Sequence, residues 1–139
     1  MKVLQKLKTD TVKELWKATY HSPNQGVPED YVALAMFKVL DALTSDGSSG
    51  YTKINRQKIV AEGGIIVFMD WLDHENPQIR ESCLITCKQC AQELSLRFEM
   101  LQSGIIDRLV QLSSSAYSTG ERLLALEVMD LLVESASGI

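Results

Sequence analysis

The chain has 139 residues, 45% hydrophobic and 23% charged, the proportions of one soluble globular domain and not of a disordered segment. Fourteen Lys and Arg stand against eighteen Asp and Glu. The resulting net charge of −4 argues against nucleic acid or an anionic membrane as the main partner.

The elements follow from helical periodicity. Leu4, Leu7, Thr11, Leu15 and Trp16 line one side of a first predicted helix ending near Tyr20. Five Lys against Asp10 and Glu14 give residues 1–20 a local charge of +3, and their alternation of cationic and apolar residues lacks the continuous apolar stretch of a secretory signal. Residues 21–26 read as a loop. Pro28-Glu29-Asp30 then opens a second helix, with proline and acids where a first turn favours them. Val32, Ala35, Met36, Val39, Leu40 and Leu43 carry its apolar side, and residues 46–50 break it. A shorter helix over about 54–62 ends at Gly63-Gly64, and another covers 65–72. Asn76-Pro77 starts a long helix whose apolar side is Ile79, Cys83, Cys87, Cys90 and Leu94. Helices over about 96–102, 105–112 and 119–135 follow. The longest apolar run, Gly63 to Met69, is too short to span a bilayer. No segment has the alternation of a strand, so an all-α chain is predicted.

The order short, medium, long occurs twice. Gly63-Gly64-Ile65-Ile66 matches Ser103-Gly104-Ile105-Ile106 at a spacing of 40, and Leu72 matches Leu112. In the long helices Cys83, Cys87 and Cys90 fall on Ala125, Met129 and Leu132 at a spacing of 42. Residues 39–43, Val-Leu-Asp-Ala-Leu, add a third copy of the long-helix pattern against Val128-Met129-Asp130-Leu131-Leu132. Helical units with a period near 40 fall in the range of HEAT and armadillo solenoids.

The stretch Asn55-Arg56-Gln57-Lys58-Ile59-Val60-Ala61-Glu62-Gly63-Gly64-Ile65 resembles the first helix and glycine turn of an armadillo repeat. Asn76-Pro77-Gln78-Ile79-Arg80-Glu81 resembles the start of that repeat's third helix. The resemblance implies a short right-handed α-α superhelix, an armadillo-type solenoid of about three repeats. Residues 54–94 and 95–136 form two of them, and residues 1–45 a degenerate or capping first one. It also implies a non-catalytic scaffold that binds a partner protein or peptide. In armadillo proteins of the importin-α type a Trp-x-x-x-Asn ladder on the third helices holds an extended peptide. The matching pairs here are Lys38 and Ala42, Ile85 and Gln89, Glu127 and Leu131; only Gln89 keeps a carboxamide. An importin-like receptor is therefore not expected.

Cys83-x3-Cys87-x2-Cys90 has the spacing of the iron–sulfur motif of radical S-adenosylmethionine enzymes. Here the cysteines lie at i, i+4 and i+7 of an unbroken helix and replace apolar residues of the partner repeats, so a packing role is expected. No fourth thiolate exists for zinc, and His74 stands across Pro77. Three cysteines cannot all pair within one chain, which points to a reducing cytoplasmic or nuclear setting. No phosphate-cradling loop and no placed nucleophile with His21 or His74 are present, so no enzyme, metal or cofactor is expected.

Two surfaces remain as candidate partner sites. Glu127, Asp130 and Glu134 share one side of the last helix, and Glu81 and Gln92 extend it from the neighbouring repeat; Gln89, with the one carboxamide at a ladder position, is a further partner-binding candidate. This is either a shallow acidic groove for a basic segment or a solvated face. Phe68 and Trp71, three apart on one helix, fall on Arg108 and Gln111 when Gly64 is aligned with Gly104. They form either an exposed aromatic patch or a pair covered by the segment 44–53 or by the first helix with Trp16. The last helix also carries Leu123, Leu124, Leu126, Leu131, Leu132 and Val133, more than one packing side needs. That excess suggests a fragment of a longer solenoid, or alternatively a structural module that self-associates through its C-terminal helix.

Overall fold

The computed structural model describes residues 29–45, 51–114 and 117–137. The predicted first helix, the loop at 21–26 and the break at 46–50 lie outside them. The described residues hold seven α-helices and no strand. In chain order these are α1 (Glu29–Thr44), α2 (Thr52–Ala61), α3 (Gly64–Leu72), α4 (Pro77–Ala91), α5 (Leu94–Gln102), α6 (Ile105–Leu112) and α7 (Thr119–Ser137). None of them is long and apolar enough to cross a membrane.

Local chemistry sets the helix ends. Pro77 occupies the first turn of α4, and the Asn76 side chain accepts from the Gln78 N–H at 2.9 Å. At α7 the Ser118 hydroxyl accepts from the Glu121 N–H at 3.2 Å. The turns into α3 and α6 place Gly63 at φ 86° and Gly104 at φ 84°, left-handed backbone that a side chain disfavours. One boundary differs from expectation. Leu94 does not continue the apolar side of α4; the chain turns at Gln92-Glu93, and Leu94 opens α5 as an exposed residue.

The two left-handed glycines, Gly63 and Gly104, lie 41 residues apart, so matching places pair at 41 and not at the 40 that aligns Gly64 with Gly104. Gly64 is glycine for a different reason. A Cβ there would lie 2.5 Å from the Ile59 carbonyl oxygen, so α2 and α3 meet at that point backbone to backbone. The same spacing of 41 relates two buried arginines. Arg56 Nε of α2 donates to the Thr44 carbonyl at 2.8 Å, and Arg97 Nε of α5 donates to the Ala91 carbonyl at 2.6 Å. Each arginine thus satisfies a carbonyl at the end of the preceding long helix, a group with no partner inside that helix.

The long helices lie side by side, with α4 packed against α1 on one side and α7 on the other, while α3 packs on α6. The core runs along this row. Phe37 and Leu40 of α1, Ile79, Cys83 and Leu84 of α4, and Ala125, Val128 and Leu132 of α7 are all buried. Thr44 and Ala91, which receive the two arginines, set the spacing between α1 and α4 at 47. Cys83 and Ala125, both without exposed surface, keep the 42 expected between α4 and α7.

Candidate functional site

The cysteines belong to the core. Cys83, Cys87 and Cys90 are free and fully buried on the inner side of α4, and the Cys83 thiol donates to the Phe68 carbonyl at 3.5 Å. Burial, with the neighbouring thiols adding to it, pushes the Cys83 and Cys90 thiols well above their ordinary range. They are therefore thiols at neutral pH, packing as small apolar groups. Among the described residues no three His, Cys, Asp or Glu are grouped to hold a metal ion. His74 is engaged in holding the α3–α4 loop. Its Nδ1 accepts from the Asn76 N–H at 3.0 Å and its Nε2 lies 3.4 Å from Asp30 Oδ1.

Phe68 and Trp71 do not form an exposed patch. Phe68 has no exposed surface and Trp71 retains 6%. The cover comes partly from α1, whose Phe37 ring meets Trp71 edge-on at 6.0 Å, and partly from His74, whose ring lies 5.7 Å away. The alternative of an exposed patch rested on an alignment one residue out. At the spacing of 41, Phe68 falls on Leu109 and Trp71 on Leu112, both of them buried.

The acidic residues are brought to one side of the row but are not equivalent. Gln89 serves the fold: its Nε2 donates to Asp41 Oδ1 at 2.6 Å and its Oε1 accepts from the Thr44 hydroxyl. Its carboxamide thus ties α4 to α1. Glu127 is ion-paired with Lys88 across the α4–α7 contact. Glu81 is exposed, its carboxylate beside Gly120 in the first turn of α7, where the helix dipole favours negative charge. Asp130 and Glu134 are exposed on α7. Two grooves run between the long helices. One of about 290 Å³ is lined by Leu34, Phe37, Lys38, Asp41, Ser82 and Ile85, and one of about 220 Å³ includes Arg56, Lys88, Gln92 and Leu124. At the spacing of 42, Glu127, Asp130 and Glu134 correspond to Ile85, Lys88 and Gln92, which line the second groove.

Sequence reasoning missed the buried node where α4 meets the start of α7. Arg80 donates to both Glu121 oxygens, from Nε at 2.6 Å and Nη2 at 3.1 Å, while Ser118 Oγ donates to Oε1 at 3.0 Å. Arg80 Nη1 also donates to the His74 and Glu75 carbonyls, and the guanidinium lies 5.1 Å from the centre of the Tyr117 ring. Burial alone would raise the Glu121 carboxyl; the hydrogen bonds from Arg80 and Ser118 outweigh it and hold the group below its usual range. The spacing Ser118-x-x-Glu121 is a helix-start signature that would have flagged the residue, though not its arginine.

Leu123, Leu126 and Val133 lie on the outer side of α7, each more than half exposed. The apolar excess of that helix did signal them. Compared with family models, curated proteins and solved structures, the chain finds no match in any of the three.

Proposed function

We propose that the chain is a short right-handed armadillo-type superhelix of about three units, acting as a non-catalytic scaffold that binds a partner protein or peptide across its long-helix side. Support for the arrangement comes from the recurrence at 41 residues of a left-handed glycine and a capping arginine, and from the row α1, α4, α7. The observation that carries the binding reading is the outer side of α7. The outermost helix of a solenoid needs a polar outer face to stay solitary. Here Leu123, Leu126 and Val133 are open to solvent beside Asp130 and Glu134. An apolar strip bordered by carboxylates suits a segment that is itself apolar with basic residues. The same residues favour a second reading, assembly through α7.

The test is a titration of two labelled peptides by fluorescence anisotropy, one leucine- and arginine-rich and one leucine- and glutamate-rich. The basic peptide should bind more tightly. Asp130→Lys with Glu134→Lys should weaken it at least tenfold while circular dichroism stays that of the parent. Equal binding of the two peptides, or an unaffected double variant, would sink the proposal.

A further inference from the structure

Among the described residues, the row of long helices has an open outer side on α1 and another on α7. Transferring positions along the row by the spacings 47 and 42 shows which residues of α1 and α7 occupy the places that α4 uses for its two neighbours. Towards α7, α4 presents Glu81, Leu84, Lys88 and Ala91, of which Leu84 and Ala91 are fully buried. The same places in α7 hold Leu123, Leu126, Asp130 and Val133, all exposed. Towards α4, α7 presents Gly120, Leu124, Glu127 and Leu131. The same places in α1 hold Tyr31, Ala35, Lys38 and Ala42, again all exposed, Tyr31 by 70%.

The α4–α7 contact supplies the pairing rule. Glu81 lies against Gly120, and Lys88 is paired with Glu127. Applied to the two open sides, the rule sets Leu123 against Tyr31 and Asp130 against Lys38. The charge pair of the internal contact is kept with its sign reversed. The large aliphatic groups Leu126 and Val133 meet a surface made small by Ala35 and Ala42. Asp130 and Lys38 have no ion-pair partner among the described residues. The Arg80–Glu121 link of the internal contact has no counterpart, since Arg122 and Val32 hold those places, and Lys38 also borders the groove between α1 and α4. What the two sides share is a fit of size and one charge pair, which a heterologous interface can use.

We propose that the partner of the α7 side is a second copy of this chain, seated by its α1 side, so that copies add head to tail and continue the row of long helices. This rests on the scaffold reading above and names the occupant of its α7 surface. One helix-to-helix contact is small for a specific interface, so the association is weak and shows as growth of mass with concentration. Because the two surfaces differ, growth passes beyond the dimer unless a ring closes.

The decisive experiment is sedimentation velocity on the full chain from about 5 to about 500 µM, a range that spans weak association. It is run for the wild type, for Leu126→Glu, which blocks the α7 side, and for Ala35→Glu, which blocks the α1 side. Both positions are exposed, and circular dichroism on the same samples checks folding. The wild type should grow in mass with concentration and each variant should stay monomeric. An equimolar mixture of the two variants, which still holds one intact copy of each side, should give a dimer that grows no further. Asp130→Lys alone should weaken self-association up to about fivefold, the reach of an exposed ion pair, and adding Lys38→Asp should restore it. A wild type monomeric throughout the range overturns the proposal. So does an Ala35→Glu variant that dimerises alone, which would mean that α7 pairs with itself, and so does a mixture of variants that stays monomeric. A monomeric wild type that still binds the basic peptide removes the head-to-tail contact and leaves the scaffold reading standing, whereas loss of both removes the two together.

Discussion

The units α2–α4 and α5–α7 share their frame and differ in how they fill it. Both turn through a left-handed glycine, and both send a buried arginine back to the preceding long helix. At the start of the long helix they diverge. The first unit buries Ile79, and the second, at the matching place, buries Glu121 with its bidentate Arg80. Just after the glycine turn the first unit has Gly64, and the second has the buried Ile105. Recurrent backbone problems thus received the same solution twice, because an orphaned carbonyl or a left-handed φ admits few answers. Side-chain volume admits many, and there the units parted.

The difference is sharpest at Glu121. Glu121→Ala leaves the Arg80 guanidinium without its carboxylate in a largely buried place, and the cost should be about 3–5 kcal/mol by urea unfolding. Arg80→Met with Glu121→Leu, which makes the second unit like the first, should recover most of that loss. If the apolar pair is no more stable than Glu121→Ala, the two units are not interchangeable at this place. The same carboxylate sets the acid response. Its folded pKa lies below the unfolded value, so its contribution is fully present above the unfolded carboxyl range near 4.3 and is lost as pH falls through the folded value. Unfolding followed from pH 7 to pH 2 should show wild type losing stability over this window and Arg80→Met/Glu121→Leu losing less of it.

The shared arginines come next. Arg97→Ala exposes no new charge but strands the Ala91 carbonyl, and should cost about 1–3 kcal/mol. Arg56→Ala should cost at least as much, because Arg56 also pairs with Glu93 at 2.7 Å. A neutral Arg97→Ala would mean that the second arginine is not a cap.

The glycines order themselves in the same way. Gly63→Ala and Gly104→Ala, both at left-handed backbone with open space around the added methyl, should each cost about 1–2 kcal/mol. Gly64→Ala should cost more than either, since its methyl meets the Ile59 backbone. Equal losses at all three in thermal unfolding would show that α2 and α3 can slide apart. Smallest of all is the half-buried pair: Lys88→Ala should cost no more than about 1 kcal/mol, and the loss should shrink in high salt.

What the sequence determined by itself is what short-range chemistry controls. Helix periodicity, the Asn76-Pro77 start and the glycine stops act within a turn or two of chain, and they place α1 to α7 to within a few residues. The core positions of the cysteines were legible for the same reason, since their spacing lies on one side of one helix. The likeness between the two glycine turns was legible too, but which residues match was not. Two adjacent glycines look alike in sequence, and only backbone angles distinguish the left-handed Gly63 from the close-packed Gly64. That single residue decided whether Phe68 and Trp71 fell on polar or apolar partners. Their cover, like the capping arginines, the engagement of Gln89 and the open sides of α1 and α7, depends on residues far apart in the chain. Phe37 reaches Trp71, and Arg56 reaches Thr44, only once the helices have packed. Burial and pairing are properties of surfaces brought together, and tertiary packing alone decides which surfaces meet.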